Sequence, residues 1–298
     1  MSDGYRGRFA PSPTGRLHFG SLVAALGSWL FARAAGGRWI VRMEDLDRER
    51  EVAGAAPQIL RALEAFGLAT DEPVVYQSQR SDAYAEALAR LAAEGHAYRC
   101  WCSRSDLEPH GGIHPRECIA AAQPRASAWR LRVADACIDF DDLVLGPQRQ
   151  DLAREVGDFV VWRADGACAY QLAVVVDDGA QAISDVVRGA DLLDSTPRQI
   201  LLQRLLGLPQ PRHAHLPLAL DADGRKLSKH EAARAVDPSE PLPALRAALR
   251  FLGQDDTGTG GVDALLARAL GDFDARAIPR TSAPAPAFAA ARNDSSRR

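Results

Sequence analysis

The stretch RFAPSPTGRLHFGS, residues 8–21, connects the first predicted strand to a long helix. It leaves a short apolar strand, passes through a turn rich in proline and glycine, and enters a long apolar helix that ends in glycines. A helix that starts directly after a strand offers free N–H groups and a positive dipole end, which favour a phosphate. His18 could donate to a phosphate oxygen, and Gly20 would let an adenine or ribose approach the backbone. Taken alone, a capped helix with an incidental histidine explains the pattern equally well.

Strand and helix signals alternate along the chain after this stretch. RWIVRMED and PVVYQ indicate strands, and residues 57–66 and 81–94 have helical periodicity. This alternation predicts an α/β fold with a parallel sheet and crossover helices. DFVVWR and YQLAVVVDD are predicted to be further strands of that sheet. A helix is expected from Ser195 or Thr196, and residues 241–270 are expected to be helical.

The composition is that of a soluble globular protein of one large or two modest domains, with 298 residues, 47% hydrophobic and 25% charged. The net charge of −3 means that a nucleic-acid partner would have to meet a local basic face. From Arg198 to Arg234, seven basic side chains stand against three acidic ones. No apolar run is long enough for a membrane span, and the N-terminus lacks a signal core. We therefore expect a cytoplasmic protein with no membrane partner.

Lysine usage singles out the stretch DADGRKLSKHEAAR. The chain contains 34 arginines but only two lysines, Lys226 and Lys229, and both lie here. An ammonium is a compact charge on a flexible stem, whereas a guanidinium is a planar fork. A retained lysine pair therefore indicates a site that needs a mobile point charge near a phosphate, although chance within a basic patch is the alternative.

The cysteines form a second notable cluster. CWCSRSDLEPHGGIHPREC contains Cys100, Cys102, His114 and Cys118, and three thiolates with one imidazole make a closed tetrahedral zinc set. His110 competes for the fourth position, and His96 does so more weakly. Three buried, reduced cysteines are the alternative interpretation. A site with no open position would be structural, pinning an insertion too polar to order itself.

Two motifs at opposite ends of the chain resemble the signatures of class I aminoacyl-tRNA synthetases. HFGS is similar to the HIGH motif and KLSKH to KMSKS. The flanking segments, VRMEDLDRER, YQLAVVVDD and VVRGADLLDSTPRQ, are similar to the glutamyl branch of that class. Ser21 replaces the last histidine of HIGH, Leu227 replaces the methionine of KMSKS, and His230 replaces its final serine. These departures leave His18 and Lys229 in place.

This resemblance implies activation of L-glutamate by ATP, with magnesium bound to the nucleotide. His18, Lys226 and Lys229 would be catalytic, and His18, Gly20 and Lys229 would contact ATP. A glutamate pocket needs arginines for two carboxylates and an acid for the ammonium. The family pattern assigns the glutamate pocket to Arg8, Phe9, Ala10, Pro11, Ser12, Glu44, Tyr170 and Arg188. Without that pattern, Arg188 would be read as a surface salt bridge to Asp185 or Asp191. Glu44 would be read as part of an acidic helix cap with Asp45 and Asp47.

The length of the region after Lys229 indicates which glutamyl-type family the chain resembles. Sixty-nine residues follow, too few for a disordered tail and an anticodon-binding domain of about 100–150 residues. The chain therefore resembles the glutamyl-Q tRNA(Asp) synthetase family, which transfers glutamate to the queuosine base in the anticodon loop of tRNA(Asp). That family carries a tyrosine where His114 stands. The alternatives are a truncated ligase charging the acceptor end of tRNA(Glu), and a non-catalytic module binding glutamate, ATP or RNA. Activation is expected to need no tRNA, and the chain to be a monomer.

The predicted fold class is α/β, with a class I synthetase Rossmann-type parallel sheet, a zinc-containing insertion and a small C-terminal helical region. The predicted divisions are the first half of the catalytic domain at 1–98, the zinc-binding insertion at 99–150, the second half of the catalytic domain at 151–235, a helical region at 236–280 and a disordered tail at 281–298.

Overall fold

The computed structural model describes residues 4–221, 224 and 235–286. Its strands are β1 (Arg6–Phe9), β2 (Arg38–Met43), β3 (Val75–Tyr76), β4 (Ala97–Cys100), β5 (Ala128–Leu131), β6 (Cys137–Asp142), β7 (Gly146–Asp151), β8 (Phe159–Trp162), β9 (Asp185–Gly189), β10 (Arg212–Leu216), β11 (Ala219–Leu220) and β12 (Ala283–Pro284). Its helices are α1 (Phe19–Ala34), α2 (Ala55–Ala65), α3 (Ser81–Ala93), α4 (Arg104–Leu107), α5 (Leu152–Glu155), α6 (Tyr170–Ala180), α7 (Thr196–Leu205), α8 (Pro241–Phe251) and α9 (Val262–Gly271).

The main sheet has seven strands in the order β3-β2-β1-β9-β10-β6-β7. All neighbours are parallel except β7, which pairs with β6 in antiparallel fashion. The helix α1 makes the crossover from β1 to β2, as a parallel pair requires. The predicted α/β class with a mostly parallel sheet is therefore confirmed.

The helix α1 can be apolar on nearly all sides because other elements bury nearly all of its surface. It packs against β1 and β9 of the sheet and against α8. Gly27 lets it approach the sheet closely, since a Cβ there would lie 2.5 Å from Cδ1 of Leu216 on β10. The result is a continuous core in which Leu22, Leu26 and Leu30 are fully buried.

A second sheet of three antiparallel strands has the order β4-β5-β8. The segment DFVVWR forms β8 in this small sheet, so the prediction that it resumes the main sheet is wrong. The opposite exchange occurs at β6 and β7, which fall almost wholly within the predicted insertion at 99–150 but belong to the main sheet, where β6 pairs with β10 and β7 pairs with β6 at the edge. The predicted boundary at 150/151 therefore does not separate the two sheets.

YQLAVVVDD is the helix α6, and its prediction as a strand is wrong. The β-branched run suggested a strand, but three polar side chains in this segment are buried and need partners on different sides of the helix. Gln171 donates to Ser195, Asp177 accepts from Gln77, Arg80 and Tyr84, and Asp178 accepts from two arginines. These tertiary contacts outweigh the β propensity of the valines.

The C-terminal region holds α8 and α9, separated by a loop, where continuous helical character was expected over 241–270. The tail predicted from 281 is ordered at its start, because Ala283 and Pro284 pair with Ala219 and Leu220. Residues 287–298 of that tail lie outside the described residues. Among the helices that the structure describes, none is long and apolar enough to cross a membrane.

Candidate active site and metal site

A cavity of about 410 Å³ opens at the carboxyl ends of β1, β2 and β9. The chain proceeds from β1 to β2 and β3 on one side of the sheet, whereas β9 and β10 extend on the other. The crevice between β1 and β9 is therefore the point where the strand order reverses, which is where open α/β sheets bind their ligands. The geometry makes this cavity the candidate active site.

Most of the residues predicted from the family pattern meet in this cavity. Its lining includes Arg8, Phe9, Ala10, Pro11, Ser12, His18, Glu44, Tyr170 and Arg188. Gly20 does not line the cavity but adjoins Ser21, which does. Lys226 and Lys229 lie outside the described residues, as do Leu227 and His230.

His18 caps the N-terminus of α1 at the cavity wall. Its Nδ1 accepts the backbone N–H of Ser21 at 3.2 Å, and its Nε2 lies 2.9 Å from the Ser21 hydroxyl. Because Nδ1 accepts, the proton of a neutral ring lies on Nε2. A Cβ on Gly20 would stand only 3.3 Å from this ring, so glycine preserves room for the imidazole. The cap places an N–H donor and a helix N-terminus on the same wall.

Glu44 follows β2 directly and is buried in the cavity wall. Its Oε1 has no hydrogen-bond partner within the described part of the chain, and the Arg42 Nη2 atom is 3.6 Å away. Burial raises the pKa of Glu44 to about 7, against the opposing charges of Arg42 and Arg8. The alternative of an acidic helix cap is wrong, since no helix begins there and Asp45 instead accepts from Ser78.

Two buried arginines reach the cavity region from neighbouring strands and share one carboxylate. Arg8 binds Asp178 with two nitrogens, at 3.1 and 3.2 Å, and Arg42 Nη1 lies 2.8 Å from the same group. These cations lower the pKa of Asp178 to about 2 even though burial opposes its ionisation. Much of the charge of Arg8 is thus offset within the protein.

Arg188 differs from Arg8 because its guanidinium meets no carboxylate among the residues that the structure describes. It is only 5% exposed, so the alternative of a surface salt bridge is wrong. Its Nε donates to His215 at 3.1 Å, and its Nη2 donates to the Thr196 hydroxyl at 2.8 Å and the Leu192 carbonyl at 3.2 Å. Its Nη1 is buried and has no partner in the described chain. Arg188 lines the cavity, so its Nη1 is the nitrogen that a ligand could engage.

Several polar groups around this cavity were not predicted from the sequence. Thr14 lines it, and its hydroxyl is buried without a partner in the described chain. Arg42 was missed although it stands two residues before Glu44, a spacing that puts both on one face of an extended segment. Asp178 was missed because its segment was predicted to be a strand. Only the Arg42 spacing was a usable signal.

The second site is the cysteine cluster beside the small sheet. One ligand atom from each of Cys100, Cys102, His114 and Cys118 lies within 4.8 Å of the others, so the residues predicted from the sequence do come together. His110 is exposed and lies outside this group, and His96 is near Glu94 instead. The donor set is the closed kind that suits zinc.

The surroundings of His114 orient it for coordination. Its Nδ1 lies 2.6 Å from the Pro115 carbonyl, so Nδ1 carries the proton and Nε2 faces Cys100 Sγ at 3.3 Å. Arg130 donates to Cys100 Sγ at 3.3 Å and places a positive charge beside the thiols. The His114 backbone rests on Gly157, where a Cβ would lie 2.3 Å from the His114 carbonyl oxygen. These contacts fit a metal held through His114 Nε2.

Comparison with known proteins agrees with this geometry. The family described as tRNA synthetases class I (E and Q), catalytic domain, matches residues 5–242. The chain therefore belongs to this family of class I tRNA synthetases, which are ligases.

Relatives narrow the family further. The chain is 58% identical over 280 residues to the glutamyl-Q tRNA(Asp) synthetase of Xanthomonas axonopodis pv. citri (strain 306), covering 93% of each chain. It is 56% identical over 290 residues to the enzyme of that name from Burkholderia mallei (strain ATCC 23344), covering 92% of this chain and 98% of the other. These relatives confirm the resemblance to the glutamyl-Q group.

Solved structures confirm the fold. A glutamate tRNA ligase from Elizabethkingia meningosepticum CCUG26117, crystallised in complex with its amino acid, superposes with a TM-score of 0.80 at 25% sequence identity. The alignment covers 95% of this chain and 67% of that one.

The raised pKa of Glu44 predicts a pH-dependent gain in stability for Glu44→Gln. The pKa rises from 4.5 in the unfolded chain to about 7 in the fold, so the wild-type protein loses stability as pH rises between these values. We expect Glu44→Gln to be more stable than wild type at pH 8, by on the order of 3 kcal/mol at most, and nearly equal at pH 4. Urea unfolding at the two pH values measures this difference.

Glu72→Gln is the matched control, because the sign of its effect is reversed. Arg6 and Arg38 lower the pKa of Glu72 to about 2, so its stabilisation is present above the unfolded pKa of 4.5 and fades as pH falls. We expect Glu72→Gln to be less stable than wild type at pH 8. A stability of Glu44→Gln below wild type at pH 8 would contradict the burial argument.

Proposed function

We propose that this ligase activates L-glutamate with ATP to glutamyl-adenylate, releasing pyrophosphate, and then transfers the glutamate to the queuosine base in the anticodon loop of tRNA(Asp). One observation carries the first step: Glu44 and Arg188 line a single cavity, and the Glu44 Oε1 and Arg188 Nη1 atoms have no hydrogen-bond partner in the described part of the chain. Glutamate offers an ammonium to the acid and carboxylates to the arginine.

Both groups gain from such a ligand. An ammonium beside Glu44 supplies a cation at hydrogen-bond distance and lowers the pKa that burial has raised. A carboxylate at Arg188 Nη1 completes the hydrogen bonds of a buried cation. Arg8, whose charge Asp178 already offsets, and Tyr170, which lines the same cavity, would contribute polar contacts rather than a second full counter-charge.

The activation step needs positioning and electrostatics without a covalent enzyme intermediate. A glutamate carboxylate oxygen attacks the α-phosphorus of ATP, the bond to the bridging oxygen breaks, and pyrophosphate leaves. The α1 N-terminus would stabilise the phosphate charge from one wall, where His18 Nε2–H, 2.9 Å from the Ser21 hydroxyl, would turn to a phosphate oxygen. Lys226 and Lys229 are proposed from the sequence to do so from the other side. Magnesium bound with the nucleotide would neutralise part of its charge.

The acceptor is proposed from the relatives named glutamyl-Q tRNA(Asp) synthetase. The rival is charging of the acceptor end of tRNA(Glu), which the structural similarity to a glutamate tRNA ligase favours. The identity of 58% to the former against 25% to the latter supports the queuosine acceptor.

We also propose one structural zinc ion per chain, held by Cys100, Cys102, His114 and Cys118. Three thiolates and one neutral imidazole leave no position open for substrate. When bound, the metal supplies folding free energy to a loop that has few apolar contacts of its own. The hydrogen bond from Arg130 to Cys100 would offset part of the thiolate charge.

Glutamate-dependent exchange of pyrophosphate into ATP tests the activation step. We expect exchange without tRNA. Lys229→Ala should reduce the rate by about 10²–10³, because one donor to the developing phosphate charge is lost. Lys229→Arg is the charge-matched control and should retain more activity than Lys229→Ala. Exchange that needs added tRNA, or that survives in Lys229→Ala above about a tenth of the wild-type rate, contradicts this account.

Transfer of labelled glutamate distinguishes the two acceptors. We expect labelling of tRNA(Asp) that carries queuosine, because the base supplies the accepting hydroxyl, and none of tRNA(Asp) lacking that base. tRNA(Glu) serves as the third substrate in the same assay. Labelling of tRNA(Glu) alone would establish the rival function.

Elemental analysis of protein purified without added metal tests the zinc proposal. We expect one zinc per chain in the wild type and its loss in Gly157→Ala, since a Cβ would displace the His114 backbone. Gly166→Ala is the matched control, because Gly166 also has a positive φ, +90°, but has open space around it. His114→Ala should lose zinc and His110→Ala should keep it; the reverse result would move the ligand assignment.

A further inference from the structure

Three neighbouring strands place a buried polar chain behind Arg188. Arg188 on β9 and His215 on β10 are register partners in the parallel sheet, and β10 pairs in turn with β6, which ends in Asp142. His215 Nδ1 lies 2.6 Å from Asp142 Oδ2, and its Nε2 lies 3.1 Å from Arg188 Nε. The side chains of His215 and Asp142 are fully buried. Of these hydrogen-bonded residues, Arg188 lines the cavity, whereas His215 and Asp142 do not.

The hydrogen-bond directions in this chain are fixed by the arginine. A guanidinium only donates, so His215 Nε2 must accept from Arg188 Nε. The proton of the ring then lies on Nδ1 and is donated to Asp142. Thr196 accepts from Arg188 Nη2 and stands 3.2 Å from the same His215 nitrogen. A flipped tautomer would set two N–H groups against each other.

A count of donors shows what this arrangement leaves for a ligand. Of the five N–H groups of Arg188, one goes to His215 and two are directed at Thr196 and the Leu192 carbonyl. Both hydrogens of Nη1 remain without an acceptor among the residues that the structure describes. Arg8 offers a contrast, because its Nε and Nη2 are bound by a carboxylate that neutralises it directly. Arg188 is instead held by neutral partners, and the negative charge of Asp142 acts from one imidazole further away.

We propose that Asp142, His215 and Thr196 are positioning residues that hold Arg188 in one rotamer, with no described carboxylate in direct contact, so that Nη1 binds a carboxylate of the amino-acid substrate. The inference rests on the proposed activation of glutamate and adds a specificity device to it. A guanidinium fixed in advance loses little side-chain entropy on binding. A protein carboxylate bound directly to Arg188 would compete with the substrate carboxylate for the same guanidinium nitrogens.

Asp142→Asn is the decisive variant because it keeps shape and changes the tautomer. Asp142 Oδ1 accepts three backbone N–H groups, from Val144, Leu145 and His215, at 2.9–3.1 Å. An asparagine keeps these bonds through its own Oδ1 and turns its NH₂ toward His215 Nδ1. That nitrogen must then accept, which moves the ring proton to Nε2 and opposes it to Arg188 Nε–H.

Two conservative pairs extend the test. His215→Gln retains an acceptor toward Arg188 and His215→Leu does not. Thr196→Ser retains the hydroxyl and Thr196→Val does not. Asp185→Asn is the control for removing a buried carboxylate from the same strand as Arg188, since Asp185 binds Arg212 and Ser184 and does not line the cavity.

The measurement is glutamate-dependent pyrophosphate exchange, with KM determined separately for glutamate and for ATP. We expect Asp142→Asn, His215→Leu and Thr196→Val to raise KM for glutamate by about ten- to a hundredfold and to leave KM for ATP within about threefold. His215→Gln and Thr196→Ser should recover most of the affinity, and Asp185→Asn should match wild type. Equal rises in both KM values, or no rise in folded Asp142→Asn, would overturn the proposal.

A second readout separates this proposal from the proposed function. The ¹⁵N resonances of His215, assigned by their loss in His215→Gln, show which ring nitrogen carries the proton. We expect the proton on Nδ1 in the wild type and on Nε2 in Asp142→Asn. A wild-type proton on Nε2 overturns the positioning role whatever the enzyme activates. Absence of glutamate-dependent exchange together with the expected tautomer would overturn the substrate and leave the held arginine in place.

Discussion

Asp178 joins the elements that build the cavity. It binds Arg8 of β1 and Arg42 of β2 from its position on α6, and all three side chains are almost fully buried. A single buried charge would be very costly, but two cations around one carboxylate, with Asp177 and Glu44 nearby, form a cluster that holds together only in this arrangement. Because α6 begins at Tyr170, the cluster fixes where the cavity wall stands. The Glu44 carboxylate completes the cluster, and its Oε1 has no hydrogen-bond partner among the described residues, which leaves this oxygen for a ligand.

Local patterns were sufficient for the first half of the fold and for the cysteine cluster. β1, α1, β2, α2 and α3 follow from apolar periodicity and from turn residues. The spacing of Cys100, Cys102, His114 and Cys118 also indicated their meeting, because residues so close in sequence have few ways to avoid one another. The cavity residues were predicted through family motifs, and without these motifs Arg188 would have been placed at the surface.

The features that were not predicted from the sequence depend on contacts between segments far apart along the chain. Nothing local in DFVVWR distinguishes a strand that joins β5 from one that joins the main sheet, since both partners offer the same backbone groups. YQLAVVVDD has strand propensity and becomes a helix because its polar residues find partners on several distant elements. The link from Asp142 through His215 to Arg188 depends on the register of three strands far apart in sequence. The residue pattern of a single segment does not indicate its register with strands elsewhere in the sequence.

The close packing of the His114 backbone against Gly157 links the cysteine cluster to the cavity wall. Gly157 leads directly into β8, Trp162 at the end of β8 bridges to Cys168, and Tyr170 follows two residues later at the cavity wall. One uninterrupted segment thus runs from the cysteine cluster to the cavity wall. If an ion held by the cluster stiffened that segment and ordered the cavity wall, reciprocal linkage would make ligand and metal each strengthen the retention of the other. Coordination chemistry at a distance from the reaction would then contribute to substrate affinity.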